Sequence, residues 1–503
     1  MKPRSPYPRT RCPLRRGRRP VRTPALAALL CLLALPPAAG ILRAREADGA
    51  ASGGHAVAPA PLVVRGATVI DGTGAPPLED GVVVIRGGRI AAVGKAGEVE
   101  APAGARTIDA RGEWVIPGLV DAHVHYGQTG WFDGRPDAAD VRAEYPYPEV
   151  VASLRDHPER FFRADLCSGV TATFDVGGYP WTRALQARGE RDPEAPHVAA
   201  AGALLSTVDF WLNLPDQRQF VYMASDSAVR NAVRSHAALG SAAIKVWYIV
   251  PGSWSPGDSA RMSRLVHVAG AEADSVGLPL IVHATGLWQA KDAIRAGARV
   301  LVHSVFDRPV DEEFLSLARE HDVVYVPTLT VVEGYPNAYL GKGPDQLPYP
   351  TGCVDAATRE KLSRGLPDSL RPEWARGPDA RAPENRQLET GLANLKRVED
   401  AGITVAMGTD AGNPGTLHGP SVYREMELMA RAGLTPTQVL VDATRNGARA
   451  MGRGADLGTL ERGKAGDLVI LRADPLADVA NLERVDRVVK GGRVVWPTDR
   501  RRP

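Results

Sequence analysis

Residues 116–125 read Ile116-Pro-Gly-Leu-Val-Asp-Ala-His-Val-His125. A short apolar run after a Pro-Gly pair has the composition of a buried strand. It ends in two histidines two residues apart. Side chains at i and i+2 share a strand face, so His123 and His125 can both aim at one point beyond the strand end. Taken alone, H-x-H is equally compatible with two ordinary core histidines.

Seven further runs repeat the pattern: Thr171–Val176, Val198–Ala201, Ala243–Trp247, Leu280–His283, Val300–Ser304, Val323–Pro327 and Thr404–Gly408. Amphipathic segments lie between them. Over 387–400, Leu388, Leu392, Leu395 and Val398 fall on one helical face. Counted from Gly118–His123, eight strand-then-helix units predict an α/β fold, a (β/α)₈ TIM barrel over residues 117–454. No Gly-rich phosphate loop follows the first strand, which argues against a dinucleotide-binding open sheet.

Both ends have a different texture. Leu62–Asp71, Gly81–Gly94, Asp467–Leu471 and Val485–Trp496 are β-branched runs cut by glycines, which read as hairpins. They predict one small β-sandwich domain made from both chain ends, residues 61–116 and 455–497, with 498–503 as a tail. Residues 331–385 are Pro/Gly-rich and weakly periodic, and follow the seventh barrel strand. A segment of that length in a barrel reads as a lid-like insertion over the strand C-terminal ends.

The chain has 503 residues, 44% hydrophobic and 24% charged, a globular composition. The net charge of +3 misleads, because nine basic residues and no acidic ones fall within residues 1–24. The remainder carries 52 basic against 58 acidic residues, which gives no reason to expect a nucleic-acid partner. The basic segment runs into Ala25–Leu35, an apolar stretch too short for a comfortable bilayer span, and then small residues. That is the layout of a signal peptide over 1–39, with 40–60 as linker. The expectation is an exported protein, periplasmic or extracellular, with no stable membrane span after cleavage. An uncleaved anchor is the alternative. Beyond the leader only Cys167 and Cys353 remain, and two distant cysteines predict no disulfide framework. Cys167, in a helix-like run, reads as a buried inert thiol.

The chemistry concentrates at strand ends. Of eleven histidines, His123, His125, His283 and His303 fall at predicted strand C-termini. The other seven read as loop or helix residues. Strand eight ends Gly-Thr-Asp410. Lys245 sits inside the apolar strand-four run, where an unpaired ammonium is costly. A set sorted this way predicts a metal centre.

In these residues the sequence resembles the amidohydrolase superfamily, from about Leu62 to Trp496. The D-x-H-x-H motif, the strand-four Lys, the histidines of strands five and six and the Gly-Thr-Asp motif carry the resemblance, with Leu457–Ile470 and Lys490-Gly-Gly-Arg-Val-Val. It is most similar to the imidazolonepropionase-related branch, which includes Xaa-Pro dipeptidases.

The resemblance implies a binuclear centre holding two divalent ions, Zn²⁺ first among them. His123, His125 and Asp410 would hold one and His283 and His303 the second. Lys245, carrying a CO₂-derived carbamate, would bridge both. A metal-activated hydroxide would attack an amide or peptide carbonyl, with Asp410 as proton shuttle. Deaminases of the superfamily carry a Glu three residues after the strand-five His. Here that residue is Gly286, which disfavours deamination. The implied partner is a small-molecule or dipeptide substrate. A cyclic-amide or lactone hydrolase and a non-catalytic relative are the alternatives, and self-association into a homo-oligomer stays open.

Tyr126 and Tyr248, each beside a predicted ligand, and His418 are candidate substrate contacts. Arg135, Arg142 and Arg218 are candidate anchors for a peptide C-terminus. Seven tryptophans follow barrel strands (Trp131, Trp181, Trp211, Trp247, Trp254, Trp288 and Trp374), which suggests a substrate with an apolar portion. The methionines of Ser421–Ala432, at helical spacing, read as core.

Overall fold

A computed structural model describes residues 60–382 and 385–497. The leader, linker and tail read from the sequence lie outside these residues. All described residues fall in one compact unit, Val57–Pro503. Among the described residues, no helix is long and apolar enough to cross a membrane.

The strands in chain order are β1 (Leu62–Val69), β2 (Leu78–Arg86), β3 (Arg89–Lys95), β4 (Arg106–Asp109) and β5 (Trp114–Pro117), then β6 (Leu119–Val124), β7 (Val170–Asp175), β8 (His197–Ala200), β9 (Leu204–Ser206), β10 (Phe220–Tyr222), β11 (Ile244–Trp247), β12 (Leu280–His283), β13 (Ala298–Val302), β14 (Val324–Val326) and β15 (Thr404–Val405), and last β16 (Leu468–Leu471), β17 (Val485–Lys490) and β18 (Arg493–Trp496).

The β-rich ends combine in one sheet. Its order is β18-β17-β16-β5-β1-β2-β3, with β4 beside β1. Strand β16 from the C-terminal part pairs antiparallel with β5 from the N-terminal part, Val469 opposite Ile116. One hydrogen-bonded mixed sheet therefore stands where two stacked sheets of a sandwich were expected. Its run of consecutive valines explains this. Val83 and Ile85 pack on one face with Leu62, Val64 and Leu468, while Val82 and Val84 pack on the other with Val63.

The middle of the chain forms parallel sheets separated by helices: β6-β7-β8, and β10-β9-β11-β12-β13-β14-β15. Each of the eight expected runs overlaps one strand. Strands β9 and β10 were not expected; three residues each are too short to announce themselves by periodicity. His197, read as a loop or helix residue, opens β8. Backbone bonds link the two sheets, from β8 to the lead-in of β11 and from β6 to the residues after β15. Ala242 N donates to Ala200 O (2.8 Å) and Ala122 N to Met407 O (3.0 Å). Alternate residues face opposite ways. Val120, Ala122, Ala172, Val302 and Val326 pack inward together, while Leu119, Val246, Val282 and Leu301 pack outward under the helices. The junction from β5 into β6 needs Gly118, because a Cβ there would lie 2.0 Å from Thr171 Oγ1.

Helix Arg386–Asp400 buries Leu388, Leu392, Leu395 and Val398, and Met426 and Met429 of helix Ser421–Arg431 lie in the core. Over residues 331–382 the inserted segment carries helices and is fastened to the rest of the molecule. Helix Thr330–Tyr339 begins where the buried Glu425 carboxylate accepts from Leu329 N (2.9 Å) and Thr330 N (2.7 Å), which satisfies amides a helix start leaves open. A second helix, Ala356–Arg364, sends Lys361 to Asp133 (2.5 Å). Cys353 is disulfide-bonded to Cys167, across a Cα–Cα distance of 6.3 Å. Cys167 is therefore no inert thiol; the partner lies 186 residues away in sequence, and spacing alone cannot reveal such a contact.

Candidate metal centre

His123 and His125 leave the end of β6 on one face. The His125 Nδ1 lies 2.5 Å from the Gly177 carbonyl, which can only accept, so Nδ1 carries the hydrogen. Its other nitrogen, Nε2, turns to the site. It faces the Asp410 Oδ1 at 2.9 Å and the His123 Nε2 at 3.3 Å, and His123 Nε2 lies 3.3 Å from the same carboxylate oxygen. Asp410 Oδ1 and His123 Nδ1 are buried and accept or donate no hydrogen bond. Burial, then the neighbouring Lys245, holds the His123 pKa well below that of a free imidazole. Three potential ligand atoms crowd one point. Two imidazole nitrogens and a carboxylate oxygen at these distances are a donor set that fits a divalent ion.

His303, just past β13, and His283, ending β12, flank that point. The His283 and His303 rings are 4.3 Å apart, and the His123 and His303 rings 5.0 Å. Register explains the alignment: His283 pairs with Val302, the residue before His303, and with Trp247 on β11. Both imidazoles are held neutral, His283 by burial and then Lys245, His303 by burial and then His283. His303 Nδ1 is 2.6 Å from the Thr328 hydroxyl. His303, Thr328 and Asp410 all have left-handed backbone, with φ of 73°, 47° and 63°. Such strain in non-glycine residues clusters where a site dictates the geometry.

Lys245 lies on β11 two residues before Trp247, on the same strand face, and lines the same cavity. It is 1% exposed, and burial brings its pKa down to about 7 against the opposing pull of Asp410. A large fraction of the amine is therefore neutral near pH 7.

Asp121 received no role in the sequence reading, yet it fixes the site. Its Oδ1 accepts from His123 N (3.1 Å) and Thr409 N (3.0 Å), and its Oδ2 from Thr409 Oγ1 (2.6 Å). It thereby ties the His123 strand to the Asp410 turn. The D-x-H-x-H spacing was the available signal. Gly408 makes close packing possible, since a Cβ there would lie 2.9 Å from His123 Cβ.

The three candidate substrate contacts do not face the cavity. Tyr126 follows His125 and so points to the opposite face; its hydroxyl donates to Asp165 (2.8 Å) and contacts Thr173 (3.0 Å). Tyr248 stands in the same relation to Trp247, and its hydroxyl donates to Asp292 (2.8 Å). His418 is buried behind the site, stacked on Tyr126 at 5.0 Å. Of the three arginines, only Arg135 lines the cavity. Its Nε and one terminal nitrogen donate to Asp137 (2.9 and 2.8 Å), and the other donates to Asn413 Oδ1. Arg142 pairs with Asp140 and Arg218 is exposed.

The cavity over the histidines measures about 680 Å³. Trp247 and Trp374 reach it, with Phe210, Phe220 and Phe306; the other five tryptophans do not line it. Val331, Tyr335 and Tyr339 of the inserted segment close one side. Asn413 and Tyr335, missed in the sequence, meet there. The Tyr335 hydroxyl donates to Asn413 Oδ1 (2.8 Å), and Asn413 Nδ2 donates to the Asp410 carbonyl (3.1 Å).

Comparison with known proteins adds a frame. The model of the amidohydrolase family matches residues 114–495. An imidazolonepropionase of Geobacillus sp. (strain WCH70) is 37% identical over 117 residues, 22% of this chain and 27% of that protein. The chain thus aligns with about a quarter of the length of that relative. An uncharacterised protein of Mycobacterium bovis is 25% identical over 409 residues, 79% of this chain and 89% of the other. Among solved structures, a Xaa-Pro dipeptidase with bound methionine aligns with a TM-score of 0.64 at 23% identity, over 86% of this chain and 99% of that one. The ochratoxinase of A. niger aligns with a TM-score of 0.64 at 23% identity, over 86% and 95%. At these identities the structural likenesses speak for the fold.

Proposed function

The chain belongs to the amidohydrolase family, and from that premise we propose a metal-dependent hydrolase that cleaves the amide or peptide C–N bond of a small substrate, a dipeptide among the candidates. His123, His125 and Asp410 would hold one divalent ion and His283 and His303 a second. Lys245, as a carbamate, would bridge the two. The observation that carries this reading is the convergence of three metal-ligand atoms, His123 Nε2, His125 Nε2 and Asp410 Oδ1, within 3.3 Å of one another. Zn²⁺ suits imidazole and carboxylate donors. The scaffold would be a closed (β/α)₈ barrel, a reading supported by the bonds joining β8 to the lead-in of β11 and β6 to the residues after β15.

Divalent ions bound there supply Lewis acidity, which makes water a nucleophile near neutral pH and polarises a carbonyl. The chain does the rest. Lys245, its pKa brought down to about 7, presents the neutral amine that adds to CO₂ with release of one proton. Asp410 receives a proton from the attacking water and returns it to the leaving nitrogen. Asn413 fixes the Asp410 backbone during that exchange. The apolar walls lower the polarity around the site and strengthen each polar contact inside.

An exported, oxidising location fits the same reading, supported by the Cys167–Cys353 bond. The test is metal analysis of purified protein with an amide panel that includes Xaa-Pro and Xaa-Arg dipeptides. About two equivalents of metal and turnover of at least one amide are expected. Metal-replete protein inert toward every amide would remove the assignment.

A further inference from the structure

We propose that Phe210, Phe220 and Trp247 form a specificity subsite for a flat apolar ring carried by the substrate amide. The proposal rests on the hydrolase reading and deepens it.

Strands β9 and β10 are additions to the eight expected strands; the loop between them brings Phe210, and the start of β10 brings Phe220, to the cavity wall. Phe210 and Phe220 are 4.8 Å apart, edge to face. Trp247 lies 5.0 Å from Phe210 and 4.9 Å from Phe220. Trp247 is in turn 6.3 Å from the His283 ring, so the aromatic wall begins one ring away from the proposed metal ligands. Leu204 and Leu212 extend the wall.

These rings could be ordinary core. Two facts argue otherwise. Phe210 and Trp247 keep part of their surface open, and all three rings line the cavity. Polar bonds also hold the loop in place. Asn213 Nδ2 donates to Phe210 O (3.1 Å), and Asn213 Oδ1 accepts from Phe220 N (2.9 Å), so one amide sets the position of both phenylalanines. On the other side of the loop, Thr207 Oγ1 donates to Ile249 O (2.7 Å) and accepts from Ile249 N (2.9 Å). A pre-organised aromatic wall loses little freedom when a ligand ring docks. Edge-to-face rings leave a partly open face on which a planar group stacks.

The test uses full-length, metal-replete protein and paired amides that differ only in a naphthyl group against a methyl group. The group is placed on the acyl side in one series and on the amine side in the other. In at least one series kcat/KM should favour naphthyl by about 10–100-fold, the range expected for burying one ring. Phe210→Ala with Phe220→Ala should cut that preference at least tenfold. Phe210→Leu, which keeps volume and removes the ring, should cut it in the same direction if the double variant fails to fold. No preference in either series, or a preference that survives in the variants, overturns the proposal. Should no amide turn over, the hydrolase reading fails separately. Calorimetric titration with 2-naphthoylglycine then decides the subsite: binding to wild type that Phe210→Leu weakens supports it, and absence of binding overturns it.

Discussion

Tyr335, on a helix of the inserted segment, donates its hydroxyl proton to Asn413 Oδ1 at 2.8 Å, and Asn413 lies three residues past Asp410. A side chain of the insertion thus reaches the turn that carries the proposed proton carrier. Arg135, from the loop after β6, donates to the same oxygen. Tyr335→Phe removes one of two donors and leaves Arg135 in place. A neutral hydrogen bond contributes about 0.5–1.5 kcal/mol, so kcat should fall about 2–12-fold with metal content unchanged. Steady-state kinetics beside metal analysis checks this. An unaltered kcat would show that the insertion does not act on the turn.

Asp410→Asn keeps the shape of the side chain and removes its capacity to carry a proton. We expect kcat to drop about 10²–10⁴-fold while part of the metal is retained. A variant within tenfold of wild type would deny Asp410 its proton role.

Lys245→Ala should abolish turnover and lower the metal content, because it removes the only bridging group proposed. Acetate or propionate should restore part of both, by occupying the space of the missing side chain as a free carboxylate. Full activity in the variant, without added acid, would contradict the carbamate.

A second cluster makes stability depend on pH. His197 Nδ1 lies 2.9 Å from Glu190 Oε1, and Nε2 lies 3.1 Å from Asp467 Oδ2. Burial opposes the His197 charge, but Asp467 and Glu190 outweigh it and raise the pKa above 6.5. The His197 bond above all brings Glu190 down to about 2, from 4.5. The raised His stabilises the fold fully below pH 6.5 and loses that contribution as pH rises through its folded value. The depressed Glu contributes fully above pH 4.5 and fades as pH falls toward 2. The Tm gap between wild type and His197→Gln should therefore be widest between about pH 4.5 and 6.5 and should narrow toward pH 9. A gap independent of pH would mean that His197 contributes packing alone.

Legibility in the sequence followed sequence distance. His123 and His125, two residues apart on one strand, were readable because strand geometry fixes where both point. Lys245, His283, His303 and Asp410 were readable as residues out of keeping with apolar strand ends, and the structure brings all of them to one cavity. Tyr126 and Tyr248 were misplaced although the same alternation was available: each is one residue from an inward-facing neighbour and so faces outward. The Cys167–Cys353 bond and the Arg135–Asn413 pair join residues 186 and 278 positions apart, through loops without periodicity. Phe210 and Phe220 lay beyond reach for a related reason. Strands β9 and β10 are three residues each, and only the pairing of β9 with β11 and of β10 with β9 makes them strands.

The left-handed backbone at His303, Thr328 and Asp410 has a further implication for how this chain would respond to selection. Each such residue costs on the order of 1–3 kcal/mol that a glycine would not. Screens for heat tolerance that ignore turnover should therefore enrich glycine at these three places before most surface positions. The hardiest descendants of such a campaign would be inert, and a lineage released from catalytic duty would drift the same way.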